Sequence, residues 1–207
     1  MRKLLFAILP LAVLASCGGP NKERKVLIVA PGAITLDASG KNISVGDTTS
    51  GADNKEIDLK DPSVTSLSIN NNGTKSTINI PADAGYYIYN GNSQPIYGSE
   101  LIVGKNIGLD HDLNLDEQKA YIDSVKQVLA GTNISAANKN YLINSGQIIK
   151  AGSSDAAHTH VFAPFVGISD VAAANDGNPV SMFKFYAKDE LQQRLQTVEE
   201  SYNAPGK

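Results

Sequence analysis

The 207-residue chain has no tryptophan, two methionines and a single cysteine, Cys17. One cysteine cannot close a disulfide within the chain or supply the several thiolates of a Cys-rich zinc site. Stability must therefore come from an apolar core, and a 150-residue domain already hides roughly 68–70% of its unfolded surface. Without tryptophan, a Trp-based sugar platform is excluded. Basic residues are not in excess, with 18 Lys and Arg against 21 Asp and Glu. That balance argues against a nucleic-acid partner, which needs a basic patch. Walker, Gly-x-Gly-x-x-Gly and Gly-x-Ser-x-Gly patterns are also missing, which removes the common signals for nucleotides and serine hydrolysis.

What is present begins at the N-terminus. Arg2 and Lys3 open the chain, Leu4 to Leu14 run apolar around Pro10, and Leu14-Ala15-Ser16-Cys17 closes the run. The run is well short of the ~20 residues that span a bilayer as a helix. Its order (positive, apolar, then small) is that of a secretory signal. The ending Leu14-Ala15-Ser16-Cys17 resembles the lipobox of bacterial lipoproteins. The resemblance implies that residues 1–16 are a signal peptide, removed in the mature protein. Cys17 is then lipidated on sulfur, with acylation, palmitate included, on the new amino terminus. Two or more acyl chains hold a protein stably at a membrane, whereas one holds it only reversibly. Lipidation also leaves no thiol for catalysis. Gly18, where an aspartate resembles an inner-membrane retention signal, favours the outer membrane. Whether the domain faces the periplasm or the surface stays open.

Removing residues 1–16 takes away Arg2 and Lys3 but no acidic residue, leaving 16 basic against 21 acidic side chains. Residues 17–24 form a polar tether, and Gly18 to Arg24 reach ~23 Å when fully extended. Lys22, Arg24 and Lys25 solvate that tether rather than forming a polybasic membrane patch.

Residues 25–207 read as one globular, β-rich α+β domain. Eighteen glycines with abundant Asn, Ser and Thr suit a turn-rich antiparallel sheet or sandwich. Val26 to Ala30 is an apolar run of strand length stopped by Pro31-Gly32, followed by strands at Ala33 to Leu36 and Asn42 to Val45. Gly46 to Asn54 lacks any apolar period and reads as a loop. Alternation around Leu67, Ile69, Ile78 and Ile80, with Asn72-Gly73 between, predicts a hairpin. Tyr86 to Tyr89, Glu100 to Val103, Tyr141 to Ile143, Gln147 to Lys150, His158 to Phe162 and Val180 to Tyr186 are further strands.

Two amphipathic helices are expected, at about 114–130 and 189–202. Asn114 and Glu117 make a capping pair, with Ile122, Val125 and Leu129 at helical spacing and Gly131 as the stop. Leu191, Leu195, Val198 and Tyr202 form one narrow stripe, suited to docking on the domain's own sheet or on a partner helix. A seam at 104–112 would divide a β-rich half from a mixed half, and one continuous core is the alternative.

Chemistry-bearing candidates are few. His158 and His160 share a face on a strand, ~6.5 Å apart at Cα, and Asp155 and His111 are the residues to complete a transition-metal site. The bland reading is two surface histidines beside a loop. Asp110-His111-Asp112 opens like a calcium loop but departs from the EF-hand at Leu115 and Tyr121. Ser181-Met182-Phe183-Lys184 matches the Ser-x-x-Lys of penicillin-interacting enzymes, yet it reads as a strand and lacks a Lys-Thr-Gly partner. Tyr87 and Tyr89 alternate away from Tyr86 and Ile88, so one pair is expected to be exposed and to offer a face for a polysaccharide or an envelope protein. Asp47-Thr48-Thr49 and Asp123-Ser124-Val125 resemble an O-glycosylation motif of certain envelope proteins.

The functional expectation is a lipid-anchored envelope lipoprotein with a non-enzymatic binding or structural role and no required cofactor. Its partners are the membrane and a polysaccharide or envelope protein, not nucleic acid. The alternative is a small metal-dependent envelope enzyme or metal binder using His158 and His160.

Overall fold

A computed structural model describes residues 23–47, 52–101, 114–135, 137–151, 156, 158–167 and 180–204. In chain order the first strands are β1 (Arg24–Ala30), β2 (Ile34–Leu36), β3 (Asn42–Val45), β4 (Asp53–Asp58), β5 (Ser66–Asn71) and β6 (Thr74–Asn79). They are followed by β7 (Gly85–Asn90), β8 (Ile96–Leu101), α1 (Leu115–Leu129), β9 (Asn140–Ile143) and β10 (Ile148–Ala151). Last come β11 (Thr159–Phe162), β12 (Ser181–Ala187) and α2 (Lys188–Tyr202). The α+β, β-rich class and both helices agree with the sequence. Among the described residues no helix is long and apolar enough to cross a membrane.

The strands form three four-stranded sheets, ordered β10-β7-β1-β4, β11-β12-β8-β9 and β2-β3-β5-β6. The first is the middle layer. On one side Val26, Ile28, Tyr87 and Tyr89 meet Ile43, Leu67 and Ile69 of the β2-β3-β5-β6 sheet. On the other, Leu27, Val29, Tyr86 and Ile88 meet Ile96, Ile143, Phe183 and Phe185 of the β8-containing sheet. That sheet's far face is covered by the helix pair, where Tyr97 and Tyr186 join Val125, Val128 and Leu191. The order of layers is sheet, sheet, sheet, helices. This explains why Val26 to Ala30 is a continuous apolar run rather than an alternating one: both faces of β1 are covered.

The sheets are not purely antiparallel. Each holds one parallel pair, β1 with β7, β3 with β5, and β11 with β12. A parallel neighbour requires a crossover connection, so these pairings join segments that alternation alone cannot connect. Strand β4 is also a correction, because it begins at Asp53 inside the expected loop. Its residues are mostly polar, and only Ile57 is buried. It pairs with β1 at the sheet's edge. Charged residues suit an edge, where they discourage pairing with another chain.

Other local expectations hold. Asn72 (φ 48°) and Gly73 (φ 87°) make the tight turn that aligns Leu67 with Ile78 in the β5–β6 hairpin. Asn114 caps α1 through its side chain to the Glu117 N–H at 2.9 Å, while Glu117 reaches back to the Asn114 N–H at 3.2 Å. Gly98 lies beneath the Phe185 ring, where any Cβ would overlap it. The Leu191, Leu195 and Val198 stripe docks within the chain's own fold, with Leu191 clustered among α1 and sheet residues. The central sheet takes β10 from beyond residues 104–112, and the helix-covered sheet takes β8 from before them. These two sheets therefore draw strands from both sides of that stretch.

Candidate functional site

Cys17, His111 and Asp155 lie outside the described residues. Tyr87 and Tyr89 are buried rather than exposed, Tyr87 being 1% accessible. The exposed tyrosine face expected from alternation is therefore corrected. Strand β7 lies between β1 and β10 and is covered on both sides, so neither pair faces solvent. The Tyr87 hydroxyl donates to Asp83, whose carbonyl and carboxylate oxygens lie at 2.9 Å. Burial and the Asp83 charge push its phenol pKa well up. His158 and His160 are half-buried on either side of buried Thr159. Among the described residues, no group of three or more His, Cys, Asp or Glu is placed to hold a metal.

The arrangement that converges on one place was not singled out from the sequence. At the C-terminal end of β1 a groove of about 420 Å³ opens between two short segments. One wall is Asn92 to Ile96 and the other is Pro164 and Phe165, with Lys188, Asp189 and Gln192 of α2 closing the end. Phe165 stands at the rim, 61% exposed.

Each wall is fixed by a buried polar side chain. Asn90, fully buried at the end of β7, donates through Nδ2 to the carbonyls of Gln94 (2.8 Å) and Ile143 (2.9 Å). Its Oδ1 accepts from the Asn92 N–H at 3.0 Å. The carboxamide thus holds the wall's backbone at Asn92 and Gln94 and ties it to Ile143 of β9. The opposite wall depends on Lys184 of β12, which is 3% exposed. Its ammonium donates to the Ala163 carbonyl (2.8 Å) and to Glu190 Oε1 (3.1 Å), and lies 4.8 Å from the Tyr186 ring centroid. The other carboxylate oxygen of Glu190 accepts from the N–H groups of Phe165 (2.9 Å) and Ala187 (3.3 Å). Burial pushes the Lys184 pKa down, and the Glu190 charge opposes that shift.

This clamp holds Phe165 at φ 61°, a left-handed conformation that side-chain-bearing residues rarely adopt. Such strain is of order 1–3 kcal/mol and persists only where the surroundings impose it. The sequence does carry one signal for the clamp: Lys184 interrupts the apolar run Met182-Phe183-Lys184-Phe185-Tyr186, and Glu190 follows in the next helix's first turn. A lysine inside such a run needs a partner when buried.

A second cavity, of about 490 Å³, lies at the opposite end of β1, beside Glu23, Lys25, Asp58 and Lys60. Arg24 borders it at 2% exposure, but its guanidinium is committed to the carbonyls of Asp61 (2.8 Å), Val64 (3.0 Å) and Pro81 (3.3 Å). That interaction fixes the start of β1 and leaves a rim of mixed charge. Comparison of the chain with protein-family models, with curated proteins and with solved structures gives no match.

Proposed function

We propose that this chain is a lipid-anchored cell-envelope lipoprotein that binds a ligand away from the membrane, without chemistry of its own. The observation that carries the reading is the placement of the groove relative to the tether. On this reading the Arg24 end of β1 is the membrane-proximal pole, because the proposed tether of residues 17–24 ends there. Strand β1 runs from that pole to Ala30, and Pro31 lines the groove. Seven strand residues separate the two poles by about 20 Å. A groove with both walls pinned suits recognition, since ordering has already been completed before a ligand arrives.

The lipobox-like Leu14-Ala15-Ser16-Cys17 supports attachment, with the outer membrane favoured by Gly18. The test is fractionation of cells producing wild-type protein or Cys17→Ser. Wild type is expected in the membrane fraction and released by detergent, while Cys17→Ser accumulates in the soluble fraction or as uncut precursor. Equal membrane association of both would sink the anchoring proposal.

A further inference from the structure

We infer that the distal groove binds an uncharged carbohydrate, with Phe165 as the stacking platform. The inference rests on the binding role proposed above and names its ligand class. The lining divides into two chemistries. Pro31, Pro95, Ile96 and Pro164 are apolar, and the Phe165 ring stands exposed beside them. Asn92, Gln94 and Gln192 supply carboxamides. A carboxamide both donates and accepts, as a sugar hydroxyl does, whereas an ionised side chain does only one. A pyranose ring has the same division, with an apolar C–H face and a hydroxyl edge.

Charge complementarity points the same way. Among the described residues, the ionisable side chains lining the groove are Lys188 and Asp189, of opposite sign. Nearby Glu190 is already matched by Lys184. A neutral ligand fits this balance, and an anionic one would meet Asp189. The volume of about 420 Å³ falls within the ~300–1,000 Å³ of ordinary ligand pockets and gives room for a short oligosaccharide. A proline-rich peptide is a poorer match. Such ligands dock in grooves lined by several aromatics, and here one ring stands among prolines that have no N–H to donate.

The experiment is calorimetric titration of the protein purified from membrane or soluble fraction, whichever holds it, in detergent micelles. The probes are malto-, cello-, manno- and chito-oligosaccharides, with a proline-rich peptide as comparison. At least one sugar series should bind. Phe165→Ala should weaken that binding by about tenfold or more, equivalent to ~1.4 kcal/mol, and Phe165→Tyr should retain it. Gln192→Ala, a change on an exposed helix position, should also weaken binding while leaving the melting temperature unchanged. Binding by no sugar, binding of sugar that survives Phe165→Ala, or binding of the peptide alone would each overturn the inference. Because the readout is made in micelles, failure here leaves the anchoring proposal standing. Failure of anchoring in cells leaves this titration interpretable in turn.

Discussion

Replacing Glu190 by alanine should destabilise the domain far more than replacing Lys184 by methionine, although both break the same ion pair. Glu190→Ala leaves a buried ammonium with one carbonyl and one aromatic face. Breaking a buried pair from one side amounts to 3–5 kcal/mol as a rule. The Glu190 side chain is 21% exposed, so about 3 kcal/mol is the better figure here. In a chain of this length that lowers the melting temperature by roughly 10 °C. Lys184→Met instead removes the buried charge and fills similar volume. The remaining carboxylate keeps two N–H donors and some water, so the loss should be about 1 kcal/mol. The double variant contains no orphaned charge and should be more stable than Glu190→Ala alone. The assay is calorimetric melting of all four proteins at pH 7, read as a double-mutant cycle. A pH series adds a signed check. Burial pushes the folded-state Lys184 pKa below 10.5, so the unfolded chain binds more protons in that window. Wild-type stability should gain a contribution as pH rises towards 10.5, and Lys184→Met should remove it. Equal losses from the two single variants, or strict additivity, would refute the clamp.

The other expectations concern the second wall, the core and acid stability. Asn90→Ala strands the buried carbonyl of Ile143 and frees that of Gln94, and should lose about 2 kcal/mol by urea unfolding, with weakened ligand binding. Phe165→Gly relieves a left-handed conformation worth ~1–2 kcal/mol but adds unfolded-state entropy of ~0.5–1 kcal/mol. Its melting temperature should hold or rise slightly while binding is lost. Gly98→Ala forces a Cβ into the Phe185 ring and should destabilise by about 2 kcal/mol in the same unfolding assay. Asp37 accepts hydrogen bonds from Asn42 and Ser39, and its folded pKa is lowered from 3.8 to about 2. Its contribution is therefore full above pH 3.8 and lost as pH falls towards 2. Asp37→Asn should flatten the melting profile in that window.

Elements with local signatures were legible in the sequence. The Asn72-Gly73 turn and the Asn114–Glu117 capping box are contained in a few adjacent residues, and both formed as read. Pairing at a distance was not legible. The parallel match of Arg24 with Gly85 depends on two segments far apart in sequence, and neither records its partner. The tyrosines of β7 were misread for a related reason: alternation suggests one wet face only when a single layer covers the sheet. Here a third sheet covers the other side, and nothing within Tyr86 to Tyr89 signals it. Strand β4 carries edge-strand polarity, which has the same hydropathy as a loop. The groove was hidden because its walls come from segments distant in sequence. Its principal feature, the left-handed Phe165, is imposed by Glu190 from another element.

The central claim is that the chain stands on the membrane at the Arg24 pole and presents the groove away from it. Cys17 is the only native cysteine, so once it is acylated a thiol introduced at Lys60 or at Gln192 can be labelled alone. Lys60 borders the cavity beside Arg24, and Gln192 the groove at the other end of β1. The direct measurement is fluorescence of each labelled, lipidated protein in vesicles that carry a quencher on the lipid headgroups. Strong quenching at Lys60→Cys with little at Gln192→Cys is the predicted result. Equal quenching at both positions, or stronger quenching at Gln192→Cys, would contradict it.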